Sequence, residues 1–273
     1  MTDLAVATRP ITTAWLTIAY GRAKTFVLPL LGIGALLFIW WLGGRVIESD
    51  PELMAFATFA PAPTFAALWE LIHSGDLWPT VSSSLYRILV GLAIAIVIGV
   101  PTGILIGYVK TFMDIVNVPF QLVRMISPLA WMPIAVLAYE SWDGAIIFLI
   151  VMAAIWPIIF STAHGVSRID PSWFKVAKNL GASAPQMLLN VVMPAVAGDI
   201  LAGIRLAVGV AWVVLVPAEY LGVTSGLGYA INDARDTLSY DLLAAIVLVI
   251  GLIGYLLDGA CALLVRKANW HHE

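Results

Sequence analysis

Six stretches of the chain, 26–42, 85–108, 115–138, 145–166, 200–216 and 242–265, are apolar over the roughly 20 residues that a helix needs to cross a bilayer core of about 30 Å. They are bounded by charge, Gly or Pro, and they predict six membrane-spanning helices. The connection after the first span carries another periodic pattern: Phe65, Leu68, Trp69 and Ile72 recur at helical spacing. There Thr64 is a candidate N-cap and Gly75 a candidate stop. That pattern reads as a helix on the membrane surface or packed against the spans, or else as a helix that docks a partner.

Composition agrees with the pattern: 61% of the 273 residues are hydrophobic and 11% are charged, with a mean hydropathy of +0.96. Soluble domains carry about a quarter charged residues, so a soluble fold is excluded. The 11 Trp, 8 Tyr and 10 Phe suit the two membrane interfaces. The single cysteine, Cys261, excludes an internal disulfide and a multi-cysteine metal site, and the net charge of −3 gives no basis for binding nucleic acid.

The positions of the charges set a sidedness. With the N-terminus in the cytoplasm, Arg9, Arg22, Lys24, Lys110, Arg168, Lys175, Lys178, Arg266 and Lys267 lie inside, and Arg45, Arg87 and Arg235 outside. No convincing small-residue cleavage site follows the first span, so it is expected to stay in the protein. The expected organisation is an N-terminal cytoplasmic or interfacial segment (1–25), a transmembrane domain (26–265) and a cytoplasmic tail (266–273).

Between the fourth and fifth spans, residues 167–199 are too polar to cross a membrane and well punctuated. Asp170 is an N-cap with Pro171 at the first helical position. Gly181 ends that helix. Ser183, with Gln186 three residues on, opens a second by a capping box, and Met187, Leu188, Val191 and Val192 carry it to Pro194.

This segment resembles a known family. Lys175-Val176-Ala177, three residues (Lys178, Asn179, Leu180), Gly181, nine residues beginning Ala182-Ser183, then Val191-Val192-Met193-Pro194, is similar to the coupling loop of permease subunits of bacterial ABC importers. Lys175 and Val176 depart from the family's leading Glu-Ala. The resemblance implies that 174–186, from Phe174 to Gln186, inserts into a cleft on a separate ATPase subunit. Ser83-Ser84-Leu85-Tyr86-Arg87, Ser127-Pro128-Leu129-Ala130-Trp131-Met132-Pro133, Gly203-Ile204-Arg205 and Gly226-Leu227-Gly228 extend the likeness to the branch that serves nitrate, bicarbonate, cyanate, taurine and alkanesulfonates. Ile155-Trp156-Pro157-Ile158 leans toward its nitrate and bicarbonate members.

The fold expected is therefore all-α, a polytopic membrane protein with about six transmembrane helices and a cytoplasmic helix-Gly-helix coupling loop. The resemblance implies a homodimer in the bacterial inner membrane, both termini cytoplasmic. Two ATPase subunits would hold ATP and Mg, with no cofactor in this chain, and a periplasmic or lipid-anchored binding protein would deliver the substrate.

Other residues carry open readings. Arg124 either makes a salt bridge or interfacial contact, or lines an anion path, where its planar donor fork suits oxyanions. Arg205 snorkels or pairs with Asp199, or lines that path. Ser127, Pro128, Trp131 and Pro133 break the third span, as broken helices at membrane depth do beside a cavity or as packing kinks; Ser127 and Trp131 are the candidate path contacts. Trp212 is a path residue or packing. Glu219, Asp233 and Arg235 form an outer gate, touch a binding protein, or are solvated. His164 has no second ligand at helical spacing, so no metal site is expected, and His271 and His272 are expected to be solvated.

The sequence has no Gly-x-x-x-x-Gly-Lys-Ser/Thr phosphate loop. If ATP drives this protein, another chain hydrolyses it. A self-contained channel or secondary transporter would explain the spans but leave the capped cytoplasmic segment without a purpose. An intramembrane enzyme would need clustered ionisable residues, which the spans do not offer.

Overall fold

The computed structural model describes the backbone of residues 11–269 and the side chains of 27–266. Arg9, Arg22, Lys24, Lys267, His271 and His272 lie outside the described side chains, so the terminal segments expected at 1–25 and 266–273 are not described further. Among the described residues the chain is all-helical. It divides into two compact units, Met1–Ala67 and Leu68–Glu273.

The first unit holds α1 (Ile11–Ser49), a 3-10 turn (Met54–Phe59) and the start of α2 (Pro61–Ser74). Trp40 donates its indole N–H to the Phe59 carbonyl at 2.8 Å, which ties the turn to α1. Thr64 is not the N-cap of α2. The helix starts three residues earlier because prolines in a first turn lack only N–H groups that would be unpaired there. Thr64 instead lies buried and bonds back to the Ala60 carbonyl at 3.0 Å. Gly75, at φ +87°, ends α2 as expected.

The second unit continues with α3 (Leu77–Tyr108), α4 (Lys110–Met125), a 3-10 turn (Pro128–Trp131), α5 (Met132–Ala138), α6 (Trp142–Ser167) and α7 (Pro171–Asn179). There follow α8 (Ala184–Met187), a π turn (Leu188–Val192), α9 (Met193–Gly222), α10 (Leu227–Asp236) and α11 (Tyr240–Asn269). Among the described residues five helices are long and apolar enough to cross a membrane, and α4 with α5, bent by 89°, is a broken sixth span or a re-entrant loop. The second span begins earlier than its apolar run because Thr80, Ser82 and Ser83 return their hydroxyls to backbone carbonyls one turn back. Their polarity is thereby satisfied inside the helix.

At the centre of the core is α6, with Ala145, Ile146, Leu149, Ile150, Ala154 and Ile158 fully enclosed against α3 and α9. Helices in lipid gain little from apolar burial against each other, so close backbone approach has to hold them together. Gly91, Gly99, Gly103 and Gly107 provide it along one side of α3. A Cβ at Gly107 would stand 2.6 Å from the Val166 Cβ, and one at Gly103 2.6 Å from the Ile159 carbonyl oxygen.

Candidate coupling segment and membrane path

At one end of the α6/α9 pair, the connecting segment has the expected punctuation. The Asp170 carboxylate accepts the Ser172 N–H at 2.8 Å, and that bond holds the carboxyl below its ordinary range. Gly181 adopts φ +78°. Its N–H bonds the Lys178 carbonyl and the next N–H, of Ala182, bonds the Ala177 carbonyl, both at 3.0 Å. These are the paired 5→2 and 6→1 bonds that close a helix on a left-handed glycine. Gln186 Oε1 then accepts the Ser183 N–H at 2.8 Å, the reciprocal half of a capping box.

This α7 has two faces. Phe174 turns inward, its ring edge-on to Tyr108 at 5.6 Å and packed by Val166, Val192 and Val196, and Ala177 is half-buried beside it. Outward, Trp173, Val176 and Leu180 are 54%, 58% and 82% exposed, at helical spacing, with Lys175, Lys178 and Asn179 around them. Gly181, Ser183 and Gln186 are exposed and Ala182 half-buried.

The second helix does not stop at Pro194, contrary to expectation. A π turn, closed by Met193 N–H to the Leu188 carbonyl, immediately precedes it, and Pro194 enters the first turn of α9. A wider turn at this point relieves the clash that proline makes with the carbonyl four residues back. A single candidate span, Ala184–Gly222, results.

The third span breaks where predicted. Pro128 disfavours helical backbone at the residue before it, and Ser127 is extended, with ψ 130°. Ser127 is exposed, and the Trp131 indole nitrogen is buried without a hydrogen-bond partner among the described residues. Arg124 lies with its guanidinium 5.0 Å over the Phe160 ring and has no carboxylate within ion-pair distance among the described residues. Beside it is a cavity of about 410 Å³, lined also by Pro128, Trp156, Phe160 and Leu206.

Arg205 has a different partner from the one expected, and Trp212 packs against a neighbouring helix, one of its two expected readings. Arg205 pairs with Asp258 of α11 through two bonds, at 2.8 and 2.7 Å, and not with Asp199. Six residues along a helix place Arg205 and Asp199 on different faces, since only three or four bring side chains together. Trp212 lies against α11, where a Cβ at Gly254 would stand 2.7 Å from its indole nitrogen.

At the opposite end, the structure assembles a cluster that sequence reading named only in pieces. Arg87 of α3 is 2% exposed and donates to Glu219 of α9 at 2.6 Å, to Asp143 at the start of α6 at 2.7 and 2.8 Å, and to the carbonyl and hydroxyl of Ser225 at 2.9 and 2.7 Å. Glu219 is fully buried and also accepts from Ser84 Oγ at 2.8 Å and the Gly228 N–H at 3.0 Å. Ser84 in turn accepts the Leu227 N–H at 2.9 Å. Gly226, at φ +104°, lets the loop pass close above, since a Cβ there would stand 2.5 Å from the Glu219 carboxyl carbon. Glu219 is therefore not a surface residue available to a docked protein in this conformation. Asp233 and Arg235 are exposed on α10, Arg235 bonded to Asp236 and stacked 5.1 Å over Tyr220. The two halves of the cluster stand 132 residues apart, and the signal for it was two opposite charges inside otherwise apolar helices.

Comparison with known proteins gives a consistent family. The chain is 35% identical over 257 residues to the bicarbonate transport system permease protein CmpB of Synechococcus elongatus, covering 88% of each chain. It is 32% identical over 249 residues, again 88% of each, to the taurine transport system permease protein TauC of Escherichia coli. With the nitrate import permease protein NrtB of a Synechocystis strain it shares 35% identity over 184 residues, 67% of each chain. Residues 99–270, from the second half of α3 through α11, match the family model for the binding-protein-dependent transport system inner membrane component. The chain belongs to that family: it is a multi-pass membrane permease subunit of the ABC importer class.

Proposed function

We propose that this chain forms, as two copies, the membrane path of an ATP-driven importer for a small oxyanion such as nitrate or bicarbonate. An extracytoplasmic binding protein delivers the substrate, and two ATPase subunits dock on α7 and the Gly181 corner from the cytoplasm, the side on which both termini lie. The chain itself performs no hydrolysis: ATP and Mg belong to the partner. Closure of the ATPase pair carries the docked helix with it, and the bent third span and α9 switch access to the path. Arg124, Ser127 and Trp131 stand on the path. Arg205 and Trp212 contribute through their contacts with α11, and Asp233 and Arg235 present the outer surface to the binding protein.

The observation that carries this reading is the uncovered apolar stripe of Trp173 and Val176, on a nine-residue helix whose ends are both capped, continued by Leu180 at its C-cap. Exposed apolar side chains on a rigid, polar-flanked helix are what a partner's cleft would bury. The relatives' names support anion import and include taurine, so a sulfonate importer is the alternative within the class. A self-contained channel or secondary transporter gives the stripe no partner.

The test is co-purification of the detergent-solubilised chain with the importer's ATPase subunit, comparing wild type with Val176→Asp and Leu180→Asp. Both variants change only exposed positions, so they should keep their gel-filtration profile and lose the ATPase. Retention of the ATPase by both would remove the docking assignment.

A further inference from the structure

Helix α4 has three faces, and only two of them suit lipid or protein. Val116, Phe120 and Val123 are half-buried, with Phe120 edge-on to Trp156 of α6 at 5.5 Å. Ile115, Val118 and Leu122 form an apolar stripe, 67%, 64% and 67% exposed, as a lipid-facing surface would be. One position back at each step, and so about 100° around the helix, Asp114, Asn117, Gln121 and Arg124 form a stripe that is entirely polar and entirely exposed. Gln121 Nε2 donates to Asn117 Oδ1 at 2.7 Å, which joins its middle members. Arg124 lies about 21 Å along the helix from Lys110. An unpaired guanidinium that far into a membrane-embedded segment costs several kcal/mol unless water reaches it.

Two cavities reach this stripe at its middle and its end. One of about 270 Å³ is lined by Asn117 together with Val116 and Phe120 of the half-buried face, Phe160 and His164, and the cavity beside Arg124 shares Phe160 with it. We propose that the Asn117–Gln121–Arg124 face of α4 is the water-filled wall of the path and its charge filter, with Arg124 the group that engages a passing oxyanion. The two amides hand the anion along: each presents donors to an anion and keeps an acceptor for its hydration water. Among the described residues no carboxylate pairs with Arg124, which leaves its fork free for substrate. Asp114, the acidic member, lies at the Lys110 end, about 15 Å from Arg124 and separated by more than a Debye length at physiological salt. This assignment rests on the anion-importer reading for its substrate class, but the wetness of the stripe does not.

The test places single cysteines at Asn117, Gln121, Ile115, Val118 and Leu122 in a Cys261→Ser chain, assembled with its ATPase in membrane vesicles of both orientations. Labelling uses two membrane-impermeant thiol reagents, the anionic sulfonatoethyl and the cationic trimethylammonioethyl methanethiosulfonates, with rates normalised to a free thiol in solution. The expected result is labelling at 117 and 121 and none at 115, 118 and 122. At 121 the ratio of anionic to cationic rate should fall when Arg124→Gln is added, by about tenfold at low salt, as one charge about 6 Å away in water requires before screening, and by about threefold at physiological salt. Absence of labelling at 117 and 121, or equal labelling of both stripes, overturns the wet wall. An unchanged ratio overturns the charge filter. ATP-driven uptake by the intact importer is scored separately: if no oxyanion is taken up, the anion-importer reading fails whatever the labelling gives.

Discussion

Removing the two members of the Arg87–Glu219 pair should have unequal consequences. Arg87→Met strips the cation from a fully buried carboxylate, leaving Ser84 and the Gly228 N–H as its donors and Asp143 unpaired nearby. Breaking a buried pair in this way costs about 3–5 kcal/mol. Glu219→Gln is milder, because Arg87 keeps Asp143 and both Ser225 acceptors, and Asp143 is 54% exposed. Its cost comes from the new amide N–H₂, which must face either Arg87 or the Gly228 N–H where a carboxylate oxygen accepted before. One unsatisfied donor of that kind costs about 1–3 kcal/mol. The double variant removes both buried charges and should cost less than the sum of the singles by about 2 kcal/mol, the coupling expected of contacting partners. The assay is the apparent melting temperature of the detergent-solubilised chain, read as loss of its monodisperse gel-filtration peak. At about 2–4 °C per kcal/mol for a chain of this size class, the three variants should separate cleanly. If Glu219→Gln melts as low as Arg87→Met, or the double variant is additive, the cluster is not a charge-paired clasp.

Other changes test the remaining structure. Gly107→Val puts a Cβ 2.6 Å from Val166 and should destabilise by about 1–3 kcal/mol, whereas Gly209→Ala, with nothing within 4 Å, should be near neutral; the same melting assay reads both. Gly181→Ala meets no neighbour, so its cost is that of left-handed backbone alone, about 1–2 kcal/mol, and weaker ATPase binding is the expected readout. The Asp170 cap should be fully present above pH 4–5, its carboxyl being depressed below an ordinary value of 3.8, and be lost as pH falls through the lower folded value. Hydrogen exchange at the Ser172 amide, corrected for intrinsic rate, should therefore rise only in that acid range, and Asp170→Asn should abolish the response.

The spans and the segment between α6 and α9 were legible because their signals are local. Asp170, Gly181, Ser183 and Gln186 act on backbone groups within four residues of themselves, so spacing alone was enough. Pro128 announced the break in the third span for the same reason. Pro194 misled because proline forbids a bond only at a regular α turn, and the π turn that admits it has no compositional mark. Arg205 misled in another way: its partner, Asp258, is 53 residues away on a different helix. The Arg87–Glu219 cluster is the extreme case, since the charges are visible in the sequence but their meeting depends on the packing of α3, α6 and α9. The glycines of α3 that set that packing do not, by their spacing, name the helix they meet.

Those two kinds of feature meet in one element. The capping box at Ser183 and the buried carboxylate of Glu219 are the two ends of a single helical run, Ala184–Gly222, which would be about 58 Å long if regular. At its Ser183 end the run adjoins an exposed, capped helix with few contacts to the body beyond Phe174. At the Glu219 end it is pinned by an ion pair, hydrogen bonds from the Ser84 hydroxyl and the Gly228 N–H, and a glycine loop with no room for a side chain. Between them lies one irregular point, the π turn at Leu188–Val192, and beyond it α9 is packed against α6 through Gly203, where a Cβ would stand 2.7 Å from Ser161. A push delivered to α7 and α8 therefore has two places to be absorbed. If the π turn yields, the motion stays at the Ser183 end and the core is undisturbed. If α9 moves as a rod, the displacement reaches Glu219 and strains its bonds to Arg87 and Ser84, so the clasp that closes one end of the protein is mechanically in series with the segment exposed at the other.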